Sequence, residues 1–227
     1  MTRKAPSWLG DGVTATVREA GAYLATTWAL ARRPFLFMSE WWSGERKAMN
    51  PLAMLATGAA IVAGARQLAA AALGVDTADS VWSAILSALG PYVHYVMIGL
   101  LVHGVLRVTV PSTVRAADSI AAALYAGAGP AALAETIGWL IMAALAPLGI
   151  ADIALPIMLG AAFSVFCTVF ATALAGMHRP PWWSMMLAFV VAFPVTGLVF
   201  GLLDPPGNYG LHWVIHFRDG FFLGLGL

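Results

Sequence analysis

The sequence predicts an all-α integral membrane protein: a helical bundle of about five transmembrane helices, preceded by an amphipathic helix on the cytoplasmic surface. Hydrophobic residues make up 60% of the 227 residues and charged residues only 10%, which is far more apolar than a soluble domain of this size. The apolar residues are gathered in segments that are long enough to cross a bilayer core, which takes about 20 residues of helix. The charged residues lie between these segments or before the first one.

Three regions follow from this pattern. Residues 1–50 are predicted to be a cytoplasmic region, residues 51–203 the membrane domain, and residues 204–227 an extracytoplasmic or interfacial tail. The tail begins with a Pro- and Gly-rich turn, and its apolar part is too short and too rich in glycine for a further span. The five predicted spans are Pro51–Leu73, Trp82–Val110, Pro130–Leu148, Ala154–Gly176 and Trp182–Leu203.

The placement of charge predicts the topology. Lys and Arg favour the cytoplasmic side of short loops, and the basic residues from Arg3 to Lys47 all precede the first span. Arg107 and Arg115 come at the end of the second span and Arg179 after the fourth, whereas the remaining loops carry aspartate. Five spans with a cytoplasmic N-terminus satisfy every loop.

The amphipathic helix is predicted from Val13, Val17, Ala20, Leu24 and Trp28, which repeat at intervals of three and four residues. We expect this helix to lie on the cytoplasmic face of the membrane.

Basic and aromatic residues alternate in the segment that follows. Such a mixture suits anionic lipid headgroups, and the apolar helix beside it favours lipid over nucleic acid. We expect Arg66, in the outer half of the first span, to be structural or to contact a lipid or a partner at the outer surface. The other predicted lipid or partner contacts are Arg32, Arg33, Trp41, Trp42, Arg46 and Lys47.

The third apolar segment is longer than a bilayer core. A single helix from Ala116 to Leu148 would measure about 50 Å at 1.5 Å per residue, against a core of about 30 Å. Gly127, Gly129 and Pro130 therefore predict a break. The break would leave a short helix over 116–126, either at the cytoplasmic interface or as a re-entrant element.

Ionisable residues inside the spans indicate functional sites by default. His103 and Arg107 share a helix face, and Glu135 lies about one and a half turns into a helix that starts at Pro130. We expect these three side chains to form a polar cluster in the cytoplasmic third of the membrane, either as a structural pair or as part of a transport path. His94 is predicted to lie near the bilayer midplane, bonded to a neighbouring helix.

No catalytic motif with specific spacing is present, so we expect no enzymatic activity. His94 and His103 point to opposite faces of their helix, because nine steps of about 100° separate them. No other predicted span contains a histidine, and Cys167 is the sole cysteine. We therefore expect no haem, no thiolate metal site and no other cofactor.

Several short motifs match a known family. They are the end of the second span, His103–Arg107, the stretch Ser119–Pro130 with its Tyr-Ala pair at Tyr125, and the approach to the first span, Arg33–Pro51. In these features the chain resembles the Yip family of multi-span membrane proteins, named for Ypt-interacting proteins, and its bacterial relatives. The resemblance implies five spans in a bacterial inner membrane, a role in membrane organisation, trafficking or partner binding, and no catalytic residues.

Two functional hypotheses follow. The first is a non-catalytic accessory or scaffold subunit of a membrane complex, or a membrane-organising protein, whose partners are the bilayer, other membrane subunits or further copies of the chain. The second is a small transporter, channel or lipid-moving protein with a polar path through His94, His103, Arg107 and Glu135. The charge balance of 12 basic and 11 acidic residues gives no indication of nucleic-acid binding.

Overall fold

The computed structural model describes residues 7–74, 81–149 and 151–203, and the side chains of 17–74, 90–149 and 154–196. All regular structure in these ranges is helical, which confirms the predicted fold class. The predicted tail, 204–227, lies outside the described residues. The helices are α1 Ser7–Arg32, α2 Pro34–Trp42, α3 Pro51–Ala72, α4 Val81–Thr109, α5 Ala116–Ala126, α6 Ala132–Leu145, α7 Ala151–His178 and α8 Trp182–Leu203.

Four helical stretches in the described residues are long and apolar enough to cross a membrane. They are Pro51–Ala72, Gly90–Thr109, Ala116–Leu148 and Ala154–His178. The apolar stretch described in α8, Trp182–Thr196, is shorter, so the fifth span stays a prediction.

The contacts between helices fix their directions. Helix α3 runs parallel to α5 and α6, because its first residues lie near Tyr125 and its last turns near Glu135. Helix α4 runs antiparallel to α5, since His103 contacts Ser119 while an earlier residue of α4, Tyr95, contacts Gly127. The long third segment therefore lies between α3 and α4, with its start at the end of the bundle where α4 finishes.

Helices α7 and α8 continue the alternation of helix direction along the chain. Met158 near the start of α7 lies against Gly138 of α6, and the last residue of α7, His178, reaches Ser119. Helix α8 begins beside the end of α4, where the hydroxyls of Thr109 and Ser184 are 2.5 Å apart. One end of the bundle, here called the basic end, therefore collects Arg32, Arg33, Arg46, Lys47, Arg107, Arg115 and Arg179.

The third segment does not break, contrary to our expectation. Residues 116–126 form a helix with the predicted bounds, but a π-helical turn, Gly127–Ala131, joins it directly to α6. The lack of an N–H on Pro130 and the clash of its ring with a preceding carbonyl are accommodated when the turn widens by one residue. Nearly all of α5 is buried against α4 and α7, so it is packed within the bundle.

Small residues allow the neighbouring helices to approach the π turn closely. A Cβ atom on Gly58 of α3 would overlap the carbonyl group of Ala128, and one on Gly127 would overlap the ring of Tyr95. Backbone and ring atoms thus occupy the space of the missing side chains. The helices on both sides of the third segment depend on glycine at these contacts.

Helices α1 and α2 are attached to the bundle through buried tyrosines. The Tyr23 hydroxyl donates to the carbonyl of Ala128 at 2.9 Å, and the Tyr125 hydroxyl donates to the carbonyl of Met49 at 2.5 Å. Phe37 of α2 packs edge-on against the Tyr125 ring at 5.7 Å. Burial raises the pKa of the Tyr23 phenol above its usual value. Both N-terminal helices are therefore packed against the membrane domain, and α1 is also hydrogen-bonded to it.

Candidate functional site

A buried ion pair joins α3 to α6. Arg66 donates to Oε1 of Glu135 from Nη2 at 2.7 Å and from Nε at 3.2 Å, and Trp139 Nε1 donates to the same oxygen at 3.1 Å. The guanidinium carbon lies 5.6 Å from the centre of the Trp139 ring. The side chains of Glu135 and Arg66 are only 9% and 23% exposed. A paired and hydrogen-bonded charge is much less costly in hydrocarbon than a lone one, so this contact holds two helices together.

The predicted contact between Arg107 and Glu135 is wrong. Arg107 donates to the carbonyl of Ser112 at the basic end, whereas Glu135 binds Arg66. That prediction assumed that the spanning helix begins at Pro130, at the expected break. Because the helix begins at Ala116 instead, Glu135 lies about 28 Å along its axis from the basic end.

His103 belongs to a different polar cluster, at the basic end. Its Nδ1 lies 3.0 Å from the hydroxyl of Ser119, and the same hydroxyl lies 3.1 Å from Nε2 of His178. Nδ1 of His178 is in turn 3.0 Å from the hydroxyl of Ser112, and the two imidazole rings meet edge-on at 5.8 Å. Ser119 is fully buried and His178 is 5% exposed. One serine hydroxyl thus bridges α4 and α7 from its position on α5.

Further hydrogen bonds fix the start of α5 beside this cluster. Asp118 accepts from the backbone N–H of Arg115 at 3.0 Å, which closes a capping box at the first turn. The backbone N–H of Val114 donates to the Ser112 hydroxyl at 3.2 Å. These bonds satisfy polar groups that would otherwise be costly to bury, and they define where the third segment begins.

His94 lies apart from both clusters. It is 8% exposed, and its Nδ1 is 3.1 Å from the carbonyl of Gly90 in the same helix. About 13 Å of α4 separates it from His103. The four residues predicted to line one polar path therefore lie in three separate places.

The basic end carries the surface predicted to contact lipid or a partner. Lys47 and Trp42 are exposed there. Trp41 instead packs edge-on against Tyr125 at 5.6 Å. Arg46 binds Oε2 of Glu40 at 2.5 Å, so part of its charge is compensated within the protein.

A cavity opens between the end of α1 and the start of α2. It has a volume of about 300 Å³. Its lining combines three arginines with apolar and aromatic residues. The lining residues are Trp28, Ala29, Arg32, Arg33, Leu36, Phe37 and Arg46.

Sequence reasoning missed several residues that make these contacts. His178 was missed because the fourth span is predicted to end at Gly176, whereas α7 continues to His178. Ser119 carried no signal, since one serine in an alanine-rich helix is usually unremarkable. Arg66 and Glu135 were each identified, but their pairing depends on α3 running beside α6, which no local pattern indicates.

The geometry defines an integral membrane protein of helical-bundle type. Glu135, Ser119 and His178 are buried and hydrogen-bonded to side chains of other helices. Among the described residues, no group of three or more His, Cys, Asp and Glu side chains is placed to hold a metal ion. Comparison with protein-family models, with curated proteins and with solved structures finds no match.

Proposed function

We propose that this chain is a non-catalytic accessory or scaffold subunit of a membrane complex, or a membrane-organising protein. One observation carries the proposal. Helix α1 is bound to the bundle by one face through Tyr23 and Leu30, while the predicted apolar stripe is exposed on another face, with Val17 66%, Leu24 56% and Trp28 68% exposed. We call α1 and α2 together the platform.

The exposed stripe is not needed to close the bundle. Removing a large apolar side chain from water contributes about 1.5–3 kcal/mol, so a stripe that the fold leaves uncovered favours contact with a membrane interface or a partner. The face that is covered holds the stripe in one orientation, because Tyr23 and Leu30 are almost fully buried. A fixed apolar face on a membrane-embedded bundle suits a docking or scaffolding role.

The proposal includes an orientation. The basic end would face the cytoplasm of a bacterial inner membrane, because positively charged loops remain on that side. Helix α8 would then supply the fifth span. The resemblance to the Yip family agrees with this topology and with a non-catalytic role.

A transporter is the alternative hypothesis, and the geometry supports it less well. Its path required His94, His103, Arg107 and Glu135 to line one route. Their recorded hydrogen bonds instead place them in three separate groups, with Glu135 bound to Arg66. The chain His103–Ser119–His178 lies at the basic end only.

Purification from native membranes tests the proposal. The tagged chain is extracted in a mild detergent, and co-purifying proteins are identified by mass spectrometry. We expect a larger membrane complex at a fixed ratio, and we expect the double variant Val17→Ser with Leu24→Ser to lose it. Trp182→Ser is the matched control, because Trp182 is 79% exposed at the same end but lies outside the platform.

Two results would contradict the proposal. Recovery of the chain alone, with substrate flux in proteoliposomes, would establish the transporter. Equal loss of the partner in the platform variant and in the Trp182→Ser control would show that the platform is not the docking surface.

A further inference from the structure

The cavity between α1 and α2 has more positive charge than the protein itself compensates. Arg32 and Arg33 are both exposed, and among the described residues neither forms an ion pair. Arg46, the third guanidinium, has Glu40 as its partner at 2.5 Å. The site therefore has two uncompensated cations beside a third that is already fixed in place.

The backbone adds to the positive electrostatic potential of the cavity. Helix α2 begins at Pro34, directly after Arg33, so the positive end of its dipole lies among the arginines. The free N–H groups of a first helical turn favour negatively charged oxygen atoms. Guanidinium groups and a helix N-terminus together form a site for a phosphate group rather than for a neutral ligand.

The rim of the cavity is apolar. Trp28 is 68% exposed and Leu36 is 41% exposed, and both line the cavity. The Phe37 ring forms part of the wall and lies 5.4 Å from the guanidinium carbon of Arg46. A ligand that matches this lining has a phosphate at one end and hydrocarbon at the other.

We propose that this cavity binds the phosphate group of one anionic phospholipid. The volume of about 300 Å³ is at the lower end of small-molecule sites, which suits a headgroup whose acyl chains remain in the bilayer beside Trp28 and Leu36. Arg32 and Arg33 bind the phosphate oxygens, and their planar guanidinium groups do so in pairs of parallel hydrogen bonds.

The proposal rests on the proposed function in one respect: it needs the platform to lie at the membrane surface. It differs from general attraction between a basic surface and anionic lipid, which depends on net charge alone. Lys47 distinguishes specific binding in the cavity from this general attraction. It is exposed and follows Arg46 directly in sequence, but it does not line the cavity.

The test measures lipid binding to the full-length chain in a neutral detergent. Native mass spectrometry counts the lipids retained, and titration gives apparent dissociation constants for phosphatidylglycerol, phosphatidylcholine and inorganic phosphate. We expect one retained phosphatidylglycerol, bound on the order of 10-fold more tightly than phosphatidylcholine. Arg32→Gln with Arg33→Gln should weaken phosphatidylglycerol binding by roughly 10–100-fold.

Two controls make the result specific. Lys47→Gln removes one charge near the cavity, and Arg18→Gln removes one from an exposed site on α1 about 20 Å from Arg32; each should change binding by no more than about 3-fold. The double variant Arg32→Lys with Arg33→Lys keeps the charge and should still lose most of the preference for phosphatidylglycerol. Unchanged melting temperatures establish that all variants remain folded, as the exposure of these side chains predicts.

Several outcomes would overturn the proposal. Wild-type affinity in the Arg32→Gln, Arg33→Gln variant excludes the cavity, and an equal loss in Lys47→Gln establishes diffuse attraction. Inorganic phosphate that binds as tightly as the lipid assigns the site to free phosphate. Failure of the scaffold proposal is recognised separately, because partner loss is measured on the Val17→Ser, Leu24→Ser variant, whose residues do not line the cavity, whereas loss of lipid with the partner retained concerns the cavity alone.

Discussion

Replacing Glu135 by glutamine tests whether the buried ion pair holds the bundle together. The substitution keeps the shape of the side chain and its hydrogen-bonding oxygen, but removes the negative charge of Glu135 from beside the Arg66 guanidinium. Removing one partner from a buried pair costs about 3–5 kcal/mol. Arg66 is 23% exposed, so part of its charge can be rehydrated, and we expect a loss of about 2–4 kcal/mol.

Thermal unfolding in detergent gives the measurement. For a chain of about this length, 1 kcal/mol corresponds to about 2–4 °C in Tm, so Glu135→Gln should lower Tm by roughly 5–15 °C. Glu19→Gln is the matched control, because Glu19 lies 3.8 Å from Arg18 with both side chains largely exposed. An exposed pair contributes little, and we expect the control to change Tm by less than about 2 °C.

A double-mutant cycle separates the pair from its surroundings. Glu135→Leu combined with Arg66→Met removes both charges and keeps apolar volume, so it should recover most of the stability lost in either single variant. Ordinary interhelical hydrogen bonds contribute only about 0.6 kcal/mol on average. A coupling energy at or below that value, with a Glu135→Gln Tm equal to that of the control, would refute a structural role for this ion pair.

Three further perturbations test the packing around the third segment. Gly58→Ala should sharply reduce the yield of folded protein, because its Cβ would overlap the carbonyl group of Ala128. Gly64→Ala is the control, since its Cβ would meet open space and the substitution should be neutral. Fluorescence-detected size exclusion compares the two yields, and equal yields would contradict the close approach of α3 to the π turn. Ser119→Ala leaves the buried His178 and the half-buried His103 without their bridge. It should cost about 1–3 kcal/mol, read as a drop in Tm, and an unchanged Tm would mean the bridge is not needed. Tyr23→Phe removes one buried hydrogen bond and should lower the free energy of unfolding by about 1 kcal/mol. Limited proteolysis should release α1 faster than in wild type. An unchanged cleavage rate would mean that other contacts anchor α1.

Several helix boundaries were predicted from local features. The third segment's first helix was expected over 116–126 and α8 over 182–203, and both are found with those bounds. Pro51 starts α3 as expected, and Asn50 supplies the cap by accepting from the N–H of Leu52 at 2.8 Å. Apolar length, proline and glycine are properties of short stretches, so they are visible without knowledge of the fold.

The polar contacts could not be predicted in the same way. The error at Glu135 came from the assumption that Pro130 ends a helix, whereas a π turn keeps α5 and α6 continuous. That single difference moves Glu135 away from Arg107 and places it beside Arg66. A proline shows where a helix is perturbed, but not how the perturbation is resolved; here the π turn packs mainly against α1, α3 and α7.

The sequence by itself determined that this chain is an apolar helical protein, where most helices begin and end, and that most of its positive charges lie at one end of the bundle. These follow from hydropathy and local backbone preferences, which act over a few residues. Only the tertiary structure decided which helices are neighbours, and hence that Arg66 pairs with Glu135, that Ser119 joins two histidines, and that three arginines line a cavity. Such contacts join residues far apart in the chain, and their free energy depends on distances and burial that exist only after the helices have packed.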